Sequence, residues 1–122
     1  MNARHLLLIA HGSRRQASND EVRALAEQVR ALRDPRFDQV EVAFLELAEP
    51  SIPEALARCA SSGAGEITVF PYFLAAGTHV ARDIPEALAA FRASRPDIRV
   101  RLTPHLGASP SLATSILEVS AG

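Results

Sequence analysis

Residues 6–10 read Leu6-Leu7-Leu8-Ile9-Ala10, an apolar run in which no polar residue alternates. A strand with one wet face alternates; a continuous run suits a strand buried on both faces, as in a parallel sheet with helices above and below it. The run then delivers His11-Gly12-Ser13-Arg14: a titratable ring, a backbone without Cβ, a hydroxyl and a fixed positive charge. Open α/β sheets build their sites at the carboxyl ends of such strands. His11 is therefore the first candidate functional residue.

The rest of the chain repeats this alternation of strand and helix. Ser18 and Glu21 have capping-box spacing and predict a helix start. Val22, Leu25, Ala26, Val29 and Leu32 follow at helical intervals, and Pro35 closes the segment. Residues 40–45 form the second expected strand, ending in Glu46-Leu47-Ala48-Glu49-Pro50. Ser51 and Glu54 repeat the capping box with Pro53 in the first turn. Ile52, Ala55, Leu56 and Cys59 give that helix an inner face, and the Ser61–Gly65 segment stops it.

Ile67-Thr68-Val69-Phe70 is a short β-branched strand. Residues 71–78 then form a loop that is unusually apolar, through Tyr72, Phe73, Leu74, Ala75 and Ala76. Such a loop either packs down or forms an apolar wall for a ligand. Val80, Ile84, Leu88 and Phe91 mark a third helix, with Pro85 near its first turn. Residues 98–102 alternate as an edge strand with one covered face. Ser109 and Pro110, as N-cap and first residue, open a last helix carrying Leu112, Ile116 and Val119, with residues 120–122 as a frayed end. Strands alternating with helices imply right-handed crossovers. The expectation is a single α/β domain over residues 1–122: a three-layer, four-stranded parallel sheet of order 2-1-3-4, flanked by helices.

Composition narrows the function classes. A net charge of −1 offers no electrostatic case for nucleic acid or an anionic membrane surface. All 13 basic residues are arginine, which removes lysine Schiff-base chemistry. Cys59 is the sole cysteine, so neither an intrachain disulfide nor a cysteine-cluster metal site can form. With no leader-like opening and no apolar stretch near the ~20 residues of a membrane span, a cytoplasmic protein is expected.

Under the order 2-1-3-4, strands 1 and 3 are neighbours, and ligands bind at the switch point between them. His11 follows strand 1, and His79 lies beyond the loop after strand 3, so both rise over one crevice. Two imidazoles can bind a first-row divalent ion, and Glu46, after strand 2, can add a harder ligand or accept protons. Arg14, Arg15 and Arg82 flank the histidines as partners for an acidic ligand. Gly12 and Gly77, beside the histidines, allow unusual backbone turns. His5 and His105 read as structural. Gly12-Ser13 lacks the spacing of a nucleotide loop, and Ser13 lacks the elbow of a serine hydrolase.

Together, Leu8-Ile9-Ala10-His11-Gly12-Ser13-Arg14, Phe44-Leu45-Glu46-Leu47-Ala48-Glu49-Pro50-Ser51, Pro71-Tyr72-Phe73-Leu74, Gly77-Thr78-His79-Val80 and Asp83-Ile84-Pro85 resemble the motifs of the class II chelatases, in that family's order and spacing. The likeness is to the small sirohydrochlorin chelatases of cobalamin and sirohaem synthesis and covers nearly the whole chain. It implies insertion of Co²⁺ or Fe²⁺, and in some relatives Ni²⁺, into a tetrapyrrole such as sirohydrochlorin, with no further cofactor. His11 and His79 would be the catalytic, metal-handling pair, with Glu46 as a metal or proton-handling carboxylate. Tyr72, Phe73, Leu74 and Ala75 would lie along the macrocycle beside Gly77 and Thr78. Gly12, Ser13 and Arg14 would meet its edge, the arginine through peripheral carboxylates. Larger relatives resemble two such domains in one chain, which implies a homodimer with the substrate in a cleft between subunits. Two other readings use the same residues: a metal or tetrapyrrole carrier without turnover, and a flavodoxin-like module with Gly12-Ser13-Arg14 as an anion nest.

Overall fold

The computed structural model describes residues 3–122, with His79 described by its backbone alone. Its strands are β1 (Ala3–Ala10), β2 (Gln39–Phe44), β3 (Ala64–Pro71) and β4 (Arg99–Leu102). Its helices are α1 (Gln16–Ala31), α2 (Ile52–Ser61), α3 (Ile84–Ser94) and α4 (Ser111–Ala121). The sheet has the expected order β2-β1-β3-β4, all parallel. Leu8 sits between Val42 and Phe70 in register, so β1 is flanked on both edges. Among the described residues, no helix is long and apolar enough to cross a membrane.

The continuous apolar run of β1 is explained by burial on both faces. Leu7 and Ile9 are fully buried on the face that packs against α2 and α3, with Ile67, Val69, Leu56, Ile84 and Leu88. Leu8 is buried on the opposite face, with Val40 and with Ala26 of α1. Each such Leu or Ile contributes about 2 kcal/mol of burial, so this strand anchors both layers at once.

Local signals succeed where nothing competes with them. At α2, the Ser51 hydroxyl accepts from the Glu54 N–H (3.3 Å) while the Glu54 carboxylate accepts from the Ser51 N–H (2.8 Å). Gly63, at φ +88°, ends the helix. Strand β3 then starts at Ala64, earlier than the expected residue 67, because Ala64 and Glu66 extend the pairing with β1, with Gly65 bulged between them. The apolar loop accordingly begins at Tyr72. Strand β4 has Val100 half-buried and Ile98 buried just before it, as an edge strand with one covered face requires.

At two helices the expectation is corrected. The Ser18–Glu21 box does not form: α1 starts at Gln16, with Arg15 as an N-cap that makes no side-chain bond. Its polar residues serve the preceding loop instead. The Ser13 hydroxyl accepts from the Arg15 N–H at 3.0 Å, and buried Asn19 bonds the backbone of Ser13. The second correction is α4. Pro110, not Ser109, is its N-cap, and the helix runs to Ala121 without a frayed last turn. None of its residues is buried, and Ile116, Leu117 and Val119 are 58%, 70% and 83% exposed. The connection from β4 stays bonded to β3 and the loop after it: Thr103 N–H bonds the Val69 carbonyl and Gly107 N–H bonds the Phe73 carbonyl. A one-turn 3₁₀ helix, Leu106–Ala108, then launches α4 from the site loop.

Candidate functional site

The site is assembled by backbone before any side chain acts. At the carboxyl end of β1, the Ala10 and His11 carbonyls accept from the Leu45 and Glu46 N–H groups at 3.0 and 3.1 Å. The pairing of β1 with β2 therefore continues past both strands and lays Glu46 beside His11. Leu47 turns the chain with φ +64°, an uncommon conformation for a branched residue. Gly12, at φ +94°, lies so close to this turn that a Cβ there would sit 1.8 Å from the Glu46 carbonyl oxygen. Glycine is required for both conformation and space.

On this scaffold the His11 Nε2 and a Glu46 carboxylate oxygen are 2.9 Å apart. Both side chains are about half-exposed, at 49% and 52%. The ring of Phe73 meets the His11 ring edge-on, at 6.3 Å between centroids and 65° between planes. Phe73 is itself packed against the main core, and the Tyr72 N–H bonds the Ile9 carbonyl at 2.8 Å. The apolar loop thus divides. Tyr72 and Phe73 pack down, while Leu74, 71% exposed, with Ala75, Ala76, Gly77 and Thr78, faces solvent.

The structure brings His11, Gly12, Glu46 and Phe73 into one cluster. Ser13 is committed to its loop through Asn19, and Arg14 and Arg15 are exposed beside it. Gly77 corrects an expectation: its φ is not positive and a Cβ there would meet nothing within 4 Å, so no glycine-only turn exists at that position. His79 opens a π-helical turn, His79–Asp83, ahead of α3, and its side chain lies outside the described residues. Among the described residues no three His, Cys, Asp or Glu cluster as a metal site. Burial pushes the Cys59 thiol up to about 12, so it remains protonated and is a poor ligand.

Two residues were given no site role by the sequence reading. Asp83 ends the π-helical turn and shares with Glu46 a cavity of about 290 Å³ between the β2–α2 turn and α3. Asn19 is 3% exposed; its Oδ1 accepts from the Ser13 N–H at 2.9 Å and its Nδ2 donates to the Ser13 carbonyl at 2.8 Å. A buried polar residue one turn into a helix, behind a polar loop, was the available signal.

Comparison with known proteins shows the family and the fold. The CbiX family pattern matches residues 5–121. The sirohydrochlorin cobaltochelatase of Methanopyrus kandleri is 46% identical over 83 residues, covering 68% of this chain and 57% of that protein. The sirohydrochlorin cobaltochelatase of Sulfurisphaera tokodaii is 34% identical over 113 residues, covering 93% of this chain and 88% of that protein. The sirohydrochlorin chelatase SirB from Bacillus subtilis subspecies spizizenii, solved in complex with cobalt, superposes with a TM-score of 0.87 at 28% identity, over 98% of this chain and 50% of that one. The chain thus spans little more than half the length of some of its relatives and nearly all of others. By sequence and by fold, the chain belongs to the CbiX family.

Proposed function

We propose that the protein inserts a divalent metal, cobalt or iron, into sirohydrochlorin. The observation that carries this reading is the His11–Glu46 pair, 2.9 Å apart at the carboxyl end of the central strand, in a chain of the CbiX family. Insertion requires the macrocycle to lose two pyrrole N–H protons while the metal sheds water. A histidine accepts protons near neutral pH or ligates a first-row ion. The short contact with Glu46 lets a proton pass from imidazole to carboxylate, so the ring is ready for the second transfer. Either group can face the incoming cation once its proton has left.

His79 is the second histidine of this reading, carried by the turn after the β3 loop. Leu74, Ala75, Gly77 and Thr78 form the exposed edge against which the macrocycle lies, with Tyr72 and Phe73 beneath. Gly12, Ser13 and Arg14 line the opposite edge, where the guanidinium pairs with peripheral carboxylates. The half-exposed His11 suits a large, flat substrate bound in an open cleft that a second copy of the chain completes. A homodimer is part of the proposal.

The test adds the purified protein to sirohydrochlorin and Co²⁺ or Fe²⁺ and follows the absorbance change of insertion over many turnovers. His11→Ala and His79→Ala should each remove most of the acceleration while circular dichroism stays unchanged. Full activity in both variants sinks the assignment of the site. Product that stops at one equivalent per site points to a carrier instead.

A further inference from the structure

The carboxyl end of the sheet carries an exposed leucine on each side of His11. Outside α4, the large hydrophobic side chains exposed among the described residues are Leu32, Leu47, Leu74 and Leu102. Leu32 caps the C-terminus of α1, at the amino end of the sheet, since a crossover helix runs back against its strands. The other three stand at the carboxyl end: Leu102 closes β4, Leu47 follows β2 and Leu74 follows β3. Leu47 is 54% exposed and Leu74 71%. Strands β2 and β3 are the two neighbours of β1, so the strands that carry these leucines stand about 10 Å apart with His11 between them.

Exposure alone says little, since single apolar residues are common on protein surfaces. The backbone sets Leu47 apart. Among the described non-glycine residues, Arg33 and Leu47 have positive φ, at 51° and 64°. Arg33 follows the last turn of α1 and bonds the Arg30 carbonyl, an ordinary helix ending. Leu47 ends no helix. Left-handed backbone is unfavourable for a residue with a Cβ, and more so for a bulky one. Its neighbours hold it there. The Leu45 and Glu46 N–H groups are bonded to the Ala10 and His11 carbonyls, and the Glu46 carbonyl lies against Gly12. A turn that served the fold alone would take glycine or asparagine at this position and keep a leucine out of water. Strained residues held by a rigid surround cluster at ligand clamps.

We infer that Leu47 is a substrate-positioning residue: its side chain packs on one face of the tetrapyrrole on the β2 side of His11, as Leu74 does on the β3 side. This deepens the chelatase reading above and rests on it. A flat macrocycle is apolar over its faces and charged at its periphery. Arginine answers the periphery; two leucines under one face leave the imidazole between them free to reach the pyrrole nitrogens. Because Leu47 adjoins Glu46 in a rigid turn, it also fixes the ring relative to the His11–Glu46 pair.

The test titrates metal-free sirohydrochlorin into the full chain, followed by absorbance, and measures urea midpoints for wild type, Leu47→Asn, Leu47→Gly and Leu47→Met. Asparagine and glycine suit left-handed backbone but lack the aliphatic side chain, whereas methionine keeps an apolar one. Leu47→Asn and Leu47→Gly should each weaken binding about 10-fold, with KM rising in step, and Leu47→Met should stay within about threefold of wild type. The midpoint of Leu47→Asn should equal or exceed that of wild type. A wild-type chain that binds no sirohydrochlorin overturns the chelatase reading and this inference with it. Wild-type binding with undiminished affinity in Leu47→Asn and Leu47→Gly overturns the inference alone. So does a lower midpoint in Leu47→Asn, since the leucine then serves the fold. A smaller sedimenting mass in Leu47→Asn with sirohydrochlorin affinity unchanged overturns it too, by assigning the leucine to a contact between copies.

Discussion

The carbonyl oxygen of Glu46 occupies the space that a Cβ on Gly12 would need, 1.8 Å from its ideal position. The residue after the candidate catalytic histidine is thus the floor on which the candidate carboxylate rests. Gly12→Ala must move one or the other, and must also hold a methyl-bearing residue at φ +94°. The expected cost is about 2 kcal/mol or more of stability, together with loss of most metal-insertion activity. Gly77→Ala is the control. A Cβ there meets nothing within 4 Å, so the denaturation midpoint should stay within error of wild type. Equal effects of the two substitutions in urea titrations would remove the special role of Gly12.

Glu46→Gln keeps the shape of the side chain and a hydrogen-bonding atom near His11 Nε2, but removes the negative charge and the proton-accepting oxygen pair. Both groups are half-exposed, so stability should change by less than about 1 kcal/mol. The insertion rate should fall about 100-fold if the carboxylate takes protons from the ring. Steady-state assays on sirohydrochlorin decide this, since an unchanged rate would reduce Glu46 to a surface carboxylate.

How far the sequence could be read depended on how local each determinant is. The apolar run of β1 and the alternation of strands with helices carry the sheet order, because burial on two faces leaves few arrangements. The Ser51–Glu54 box formed as its spacing predicts. The same spacing at Ser18 and Glu21 did not, because loop bonds from Ser13 and Asn19 start the helix earlier. Competition of this kind is invisible to a pattern that scores one motif at a time. The His11–Glu46 contact was expected only as two strand ends near each other; the 2.9 Å distance depends on the backbone bonds of Leu45 and Glu46 to β1. The apolar stripe of α4 was legible, but its exposure was not, since periodicity says which face is apolar and nothing about what it meets.

Asn19 gives a third test. It closes two hydrogen bonds on the backbone of Ser13 from a buried position. Asn19→Ala leaves both Ser13 groups without that partner and should cost about 1–3 kcal/mol. The loop from Gly12 to Arg15 should then loosen. If that loop meets the edge of the macrocycle, KM for sirohydrochlorin should rise more than kcat falls. Hydrogen exchange at the Ser13 amide, faster in the variant than in wild type, checks the structural half independently of activity.

His5, at the opposite end of β1, predicts a pH dependence that the site does not share. The ring is 1% exposed, and neither nitrogen has a hydrogen-bond partner. Burial holds its pKa below the ordinary 6.5, against a weaker opposing pull from the carboxylates of Glu41 and Asp38. In the unfolded chain the ring protonates as pH falls through about 6.5; in the folded chain it resists. The unfolded state then binds the extra proton, so stability is complete above that pH and is lost as pH falls from there towards the lower folded value. The slope contributed by this one group is at most about 1.4 kcal/mol per pH unit. His5→Leu removes two unpaired polar atoms at similar volume. It should raise stability at pH 7 by about 1–3 kcal/mol and flatten the slope between pH 5 and about 6.5. Urea titrations across that range compare the two proteins directly. A slope unchanged in the variant would assign the acid sensitivity to other groups.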